Sequence, residues 1–302
     1  MATIAGVARS GQLASRPGLI ARTPSGVLVV SAIASIQFGA ALAATLFERI
    51  GPGGTVWLRL LFGSLVLVAI ARPSLRARSR RELVLAATFG LVLGAMNLSF
   101  YESLQRIPLG VAVSLEFVGP LTVALLGSRR PADLLWVALA AGGIVALTRT
   151  GGSHPLSGVG VGLALLAGVF WGCYILLNAR LGRVYEGVSG LALAMSVATI
   201  AVLPFGIVDG GAQLLSGESL LLGGAVGLLS SAIPYTFEVE ALRRIAPPVF
   251  GVLMSLEPAV AALAGLAVLG QRLAARELLG IALVIVASVG ASRRARSSPV
   301  AV

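Results

Sequence analysis

Two glutamates stand inside apolar runs, each shortly ahead of a proline. Glu116 lies in Val113-Ser114-Leu115-Glu116-Phe117-Val118-Gly119-Pro120, and Glu257 in Met254-Ser255-Leu256-Glu257-Pro258. A carboxylate in a partly dry site pairs with a cation or takes up a proton. Pro120 also removes the backbone donor whose helical partner would be the Glu116 carbonyl, and Pro258 frees the Met254 carbonyl in the same way. Both carbonyls are then open to a solute, a water or a side-chain donor. Arg59, in Trp57-Leu58-Arg59-Leu60-Leu61, cannot lose its proton. It must pair with Glu116 or Glu257, point at an anionic group of a bound solute, or reach back to a polar boundary.

Weaker candidates surround these. Glu238 and Glu240 are two apart near the end of an apolar run, so one helix cannot turn both to the same face. Glu102 ends another run, in Asn97-Leu98-Ser99-Phe100-Tyr101-Glu102. Glu102 and Glu238 join Glu116 and Glu257 as candidates for carrying a proton, while Glu48, at a run's end, reads as interfacial. Ser35, Gln37, Asn97, Ser99, Tyr174, Asn178, Tyr235 and Thr236 add neutral polar groups. Each alone is ordinary helix–helix adhesion; together they outline a polar central chamber.

Other chemistries lack their residues. His154 is the only histidine and Cys173 the only cysteine, which excludes a disulfide within the chain, a cysteine cluster and a histidine-based metal site. All 23 basic residues are arginine, so there is no lysine for a nucleotide-binding phosphate loop. No metal and no cofactor is expected. A membrane-embedded enzyme would need more than paired acids. A scaffold or channel would not need two acids in matching contexts.

The elements that carry these groups follow from composition. Hydrophobic residues make up 57% of the 302 residues and charged residues 12%. The mean hydropathy of +0.96 leaves too little polar surface for a water-soluble fold of this size. The reading is an all-α, polytopic membrane protein. Ten spans emerge, at about 26–47, 53–71, 83–104, 109–127, 132–148, 159–178, 188–208, 219–241, 249–269 and 277–291; most match the roughly 17–25 residues a bilayer needs. The net charge of +11 would fit nucleic-acid binding, but the arginines cluster in short loops between apolar runs. With the N-terminus inside, seventeen arginines fall on the cytoplasmic side and five outside, with Arg59 within a span. Met1–Ser25 is then a basic cytoplasmic tail, and both termini are cytoplasmic.

The two halves echo each other. Ser114-Leu115-Glu116 and Ser255-Leu256-Glu257 sit at mid-membrane in the fourth and ninth spans. Leu104-Gln105-Arg106-Ile107-Pro108 precedes the first, and Leu242-Arg243-Arg244-Ile245-Ala246-Pro247 the second. Five spans per copy is an odd number, so the second copy enters from the opposite side: an inverted repeat. The expected units are the tail 1–25, repeats 26–148 and 149–292, and a cytoplasmic tail 293–302. Gly158–Gly162 and Gly168–Gly172 supply small residues for close helix approach.

Several stretches carry a family resemblance. They are Ala34-Ser35-Ile36-Gln37-Phe38-Gly39-Ala40, Gly94-Ala95-Met96-Asn97, Ile107-Pro108-Leu109-Gly110 continuing to Pro120, Ser128-Arg129-Arg130-Pro131 and Leu253-Met254-Ser255-Leu256-Glu257-Pro258-Ala259. The chain resembles carriers of the drug/metabolite transporter superfamily with two EamA-type repeats, nearest to the bacterial threonine/homoserine exporter branch. The resemblance implies ten transmembrane helices as two inverted five-helix repeats around a central cavity, in the bacterial inner membrane. It implies efflux of small neutral amino acids by proton antiport, with uptake or export of another metabolite or amphipathic drug as the alternative. A zwitterion needs an anion for its ammonium, which Glu116 or Glu257 offers, and donors for its carboxylate, which Arg59, Gln37 and Asn97 offer; Tyr174 and Tyr235 complete the expected lining. The partners implied are a small amino acid or related metabolite, protons and lipid, with no nucleic acid; pairing with a second copy is left open.

Overall fold

The structure, a computed structural model, describes residues 23–73, 78–126, 134–148, 156–185, 188–242, 244–245 and 247–294. Most of the basic tail, the C-terminal residues beyond 294, Arg76, Arg129, Arg130, His154 and Arg243 lie outside the described residues, and so does the side chain of Tyr235. All regular structure among the described residues is helical.

The chain opens with α1 (Ser25–Ala44), α2 (Phe47–Ala71) and α3 (Arg80–Leu104). Next, α4 (Leu109–Glu116) and α5 (Val118–Leu126) follow each other across Phe117. Then come α6 (Leu134–Thr148), α7 (Gly158–Leu181) and α8 (Ser189–Gly210), which ends in a 3₁₀ turn at Gly211–Leu215. A π-helical turn, Leu228–Ala232, joins α9 (Gly217–Gly227) to α10 (Ile233–Leu242). The chain closes with α11 (Pro247–Met254), α12 (Glu257–Leu269) and α13 (Ala275–Arg294).

Six helical stretches are long and apolar enough to cross a membrane: Ser25–Ala44, Phe47–Ala71, Arg80–Leu104, Gly158–Leu181, Ser189–Leu215 and Val252–Leu269. At about 1.5 Å per residue each approaches or exceeds the roughly 30 Å of hydrocarbon. Their outer faces are apolar, with Ile200, Val208 and Leu263 standing open. In water such a surface would drive association; in lipid it is solvated. Helix ends carry their own caps. Ser79 and Glu82 form a reciprocal capping box on α3, Ser157 accepts from the Gly160 N–H, and Ser216 from the Ser219 N–H. Gly51, at φ 65°, and Pro52 kink α2 near its start. Asp209 of α8 accepts the freed Gly53 N–H at 2.8 Å, satisfying an end that the kink would leave bare.

The helices pack in a regular scheme. α2 lies on α8, α4 on α12 and α6 on α13; α3 lies on α7 and α8, α1 on α10 and α12, α9 on α2, and α7 on α4 and α5. Glycines set the closest approaches. A Cβ at Gly119 would overlap the Gly168 carbonyl oxygen, and one at Gly168 would stand 2.7 Å from that of Glu116. The Glu116 carbonyl that Pro120 frees is therefore covered by α7. The expectation that small residues at Gly158–Gly162 allow close approach does not hold, because nothing lies within 4 Å of a Cβ at either position. These differences yield a paired test. Gly119→Ala lowers the thermal midpoint in detergent, by overpacking worth about 1–3 kcal/mol. Gly162→Ala raises it, since open helical glycine costs about 1 kcal/mol relative to alanine.

Candidate functional site

Arg59 is where the helices converge. It stands on α2, facing α3 and the π turn. Its Nη1 donates to the Tyr101 hydroxyl at 3.1 Å, and its guanidinium lies 5.4 Å from the centre of the Tyr101 ring. Nη2 makes a longer contact, 3.5 Å, to the Ser230 carbonyl. That carbonyl is available for a sequence reason: Pro234, four residues on, has no N–H to offer it. The neighbouring Leu229 carbonyl, also in the π turn, accepts from Ser35 of α1 at 2.6 Å. The turn is thus stitched to both α1 and α2, and Gly39 lets α1 close onto Ser230.

These groups border a cavity of about 580 Å³, inside the range of small-molecule sites. Gln37, Arg59 and Asn97 line it from the first three helices, Glu116 and Tyr174 from α4 and α7, and Glu238 and Glu257 from α10 and α12. Trp171, Phe117 and Phe250 supply apolar wall. The cavity is displaced toward one end of the bundle. α8 lines it only from its first two turns, at Leu191 and Met195, and α7 only from its second half. The opposite end is filled by Leu46, Ile50, Tyr101, Leu104, Ile107 and Leu109, all buried.

Charge in the cavity is uneven. Glu116 and Glu257 are buried. Glu116 lies within Coulombic reach of Arg59, and Glu257 within reach of both Glu238 and Glu116. One guanidinium and three carboxylates therefore line the same cavity. Arg59 belongs to neither of the two ion pairs among the described residues, Arg49–Glu218 and Glu102–Arg106. The expected direct pair of Arg59 with Glu116 or Glu257 is replaced by the phenol and the carbonyl. Gln37 Oε1 and Ser230 Oγ are buried with no hydrogen-bond partner.

Of the residues expected from sequence, Gln37, Arg59, Asn97, Glu116, Tyr174, Glu238 and Glu257 meet at this cavity. The side chain of Tyr235 lies outside the described residues. Glu102 does not reach the cavity. It pairs with Arg106 one turn on, at 2.6 Å and partly exposed, away from the other acids expected to carry a proton. Sequence reasoning missed Tyr101 and the π turn. Tyr101 sits in an apolar run with nothing local to single it out. Pro234 was a usable signal, because the logic applied to Pro120 and Pro258 points equally to the Ser230 carbonyl.

The chain has clear relatives. A model of the EamA-like transporter family matches residues 158–293. The threonine/homoserine exporter RhtA of Salmonella typhimurium is 43% identical over 277 residues, 90% of this chain and 92% of that one. The protein of the same name from Escherichia coli strain K12 is 43% identical over 273 residues, 89% of this chain and 92% of that one. A solved crystal structure superposes with a TM-score of 0.63 at 19% identity, covering 90% of this chain and 98% of its own, and shares the fold.

The geometry separates Glu102 from the cavity acids, and stability checks the separation. A partly exposed pair such as Glu102–Arg106 contributes less than about 1 kcal/mol. Glu102→Gln accordingly leaves the thermal midpoint in detergent within about two degrees of the parent protein.

Proposed function

The chain belongs to the EamA-like transporter family, in the branch of the RhtA threonine/homoserine exporters, and on that premise we propose that it exports small neutral amino acids, threonine and homoserine foremost, in exchange for protons. One observation carries the reading: a cavity in an apolar helical bundle lined by one guanidinium and three carboxylates. A zwitterion fits that array. Its carboxylate goes to Arg59, with Asn97 and Gln37 alongside; its ammonium goes to Glu116 or Glu257. The acids not engaged by the ammonium take up the protons, because three like charges gathered in one cavity repel one another. Release of substrate and uptake of protons at the same carboxylates makes the exchange obligatory.

The architecture proposed is ten membrane passes in two inverted five-helix repeats, residues 26–148 and 149–292. α4 with α5, α9 with α10, and α11 with α12 count as single interrupted passes. The packing scheme supports this. Exchanging the two halves maps α2–α8, α4–α12 and α6–α13 onto themselves, α3–α7 onto the pass formed by α9 and α10 against α1, and α3–α8 onto α9–α2. Interrupted helices at mid-membrane are how carriers build polar sites. The arginine bias supports cytoplasmic termini, and in that orientation the end of the bundle packed with Leu46, Ile50, Leu104 and Ile107 lies on the outer side. A packed outer end fits the loading state of an exporter in the bacterial inner membrane.

Proton-driven transport in vesicles tests the coupling. Glu116→Gln and Glu257→Gln each abolish threonine accumulation driven by a pH gradient. Undiminished coupling in both variants overturns the assignment.

A further inference from the structure

Arg59 is useful as an anchor only if its guanidinium keeps one orientation. An arginine on a membrane helix has a long, mobile stem, and three carboxylates in the same cavity compete for it. If it collapsed onto Glu116, the carboxylate-binding face would be lost. Something must hold it away from that ion pair.

Tyr101 has the required properties. It is wholly buried, and among the described residues no other fully buried side chain is larger. Phe47 and Phe100 flank its ring, with centroids at 6.0 and 5.9 Å in tilted and edge-on geometry. The ring therefore cannot turn freely. Its hydroxyl accepts from Arg59 Nη1, while its ring face attracts the same cation. The Ser230 carbonyl takes Nη2 from the other side. The two holds come from different elements, α3 and the π turn, so the guanidinium is clamped across the roof of the cavity. Tyr101 does not itself line that cavity.

We propose that Tyr101 is the positioning residue for Arg59: its hydroxyl fixes the guanidinium in the orientation that receives the carboxylate of an amino-acid substrate. The inference rests on the reading of Arg59 as the carboxylate anchor. It assigns Tyr101 an effect on carboxylate recognition alone, acting through Arg59.

The test is labelled-threonine counterflow by the full-length protein in sealed vesicles. Threoninol, which keeps the amine and the side-chain hydroxyl and carries a neutral hydroxymethyl group in place of the carboxylate, serves as competitor. Tyr101→Phe retains the ring and the packing and removes one hydrogen bond to a charged group. Its apparent KM for threonine rises about tenfold, with the maximal rate within twofold of the parent and the inhibition constant for threoninol unchanged. In an Arg59→Lys background the same substitution has no further effect, because the group it positions is gone. An unchanged KM for threonine overturns the role of Tyr101. So does an equal loss for threonine and threoninol, or a fall in maximal rate alone, since these mark a general structural contribution. If the parent protein itself does not distinguish threonine from threoninol, the anchor reading of Arg59 fails instead. Discrimination that is strong in the parent and intact in Tyr101→Phe overturns the positioning role only.

Discussion

A permanent charge held in the middle of an apolar bundle is the constraint on which the rest of this structure depends. Moving an arginine to the centre of a membrane span costs at least about 2.5–3.5 kcal/mol, and the guanidinium cannot escape by losing its proton. Arg59 is tolerated because the fold surrounds it with compensation of several kinds. A phenol, a freed backbone carbonyl and an aromatic face hold it directly. A nearby carboxylate, Glu116, balances its charge at longer range. The compensation is incomplete, since the guanidinium has five donors and the protein engages two of them. The proposed substrate carboxylate would meet the donors left over.

The interruptions in the helices serve this arrangement. The same chemistry, a proline with no N–H to give, acts at Pro120, Pro234 and Pro258, yet its result differs at each. At Pro234 the helix widens into a π turn, and its carbonyls go to Ser35 and Arg59. At Pro120 the freed Glu116 carbonyl is packed against Gly168, so α7 crosses α4 and α5 at close range and carries Trp171 and Tyr174 to the cavity wall. At Pro258 the helix restarts with Glu257 in its first turn. Local sequence decides that a carbonyl is released, and tertiary packing decides what receives it.

Much of this was legible in the chain and some was not. Apolar runs predicted the six membrane-length helical stretches, because a bilayer forces segment length onto composition. The mid-run acids stood out because burying them without purpose is costly. The partners of Arg59 were not legible. The expected carboxylate partner came from charge alone, whereas the choice of Tyr101 depends on how α2 and α3 are rotated against each other, which no local pattern encodes. Glu102 was visible as an acid near a span's end, but its place away from the cavity, paired with Arg106, was not. The Gly158 and Gly162 pair had the right spacing on a face that meets no neighbouring helix.

The pairing of Arg59 with a substrate carboxylate is most directly tested by labelled-threonine counterflow in sealed vesicles carrying Arg59→Gln, compared with the parent at equal abundance and equal thermal midpoint. Saturable counterflow in the parent and none above background in Arg59→Gln is the predicted result. Saturable counterflow in Arg59→Gln with the parent's KM would contradict it.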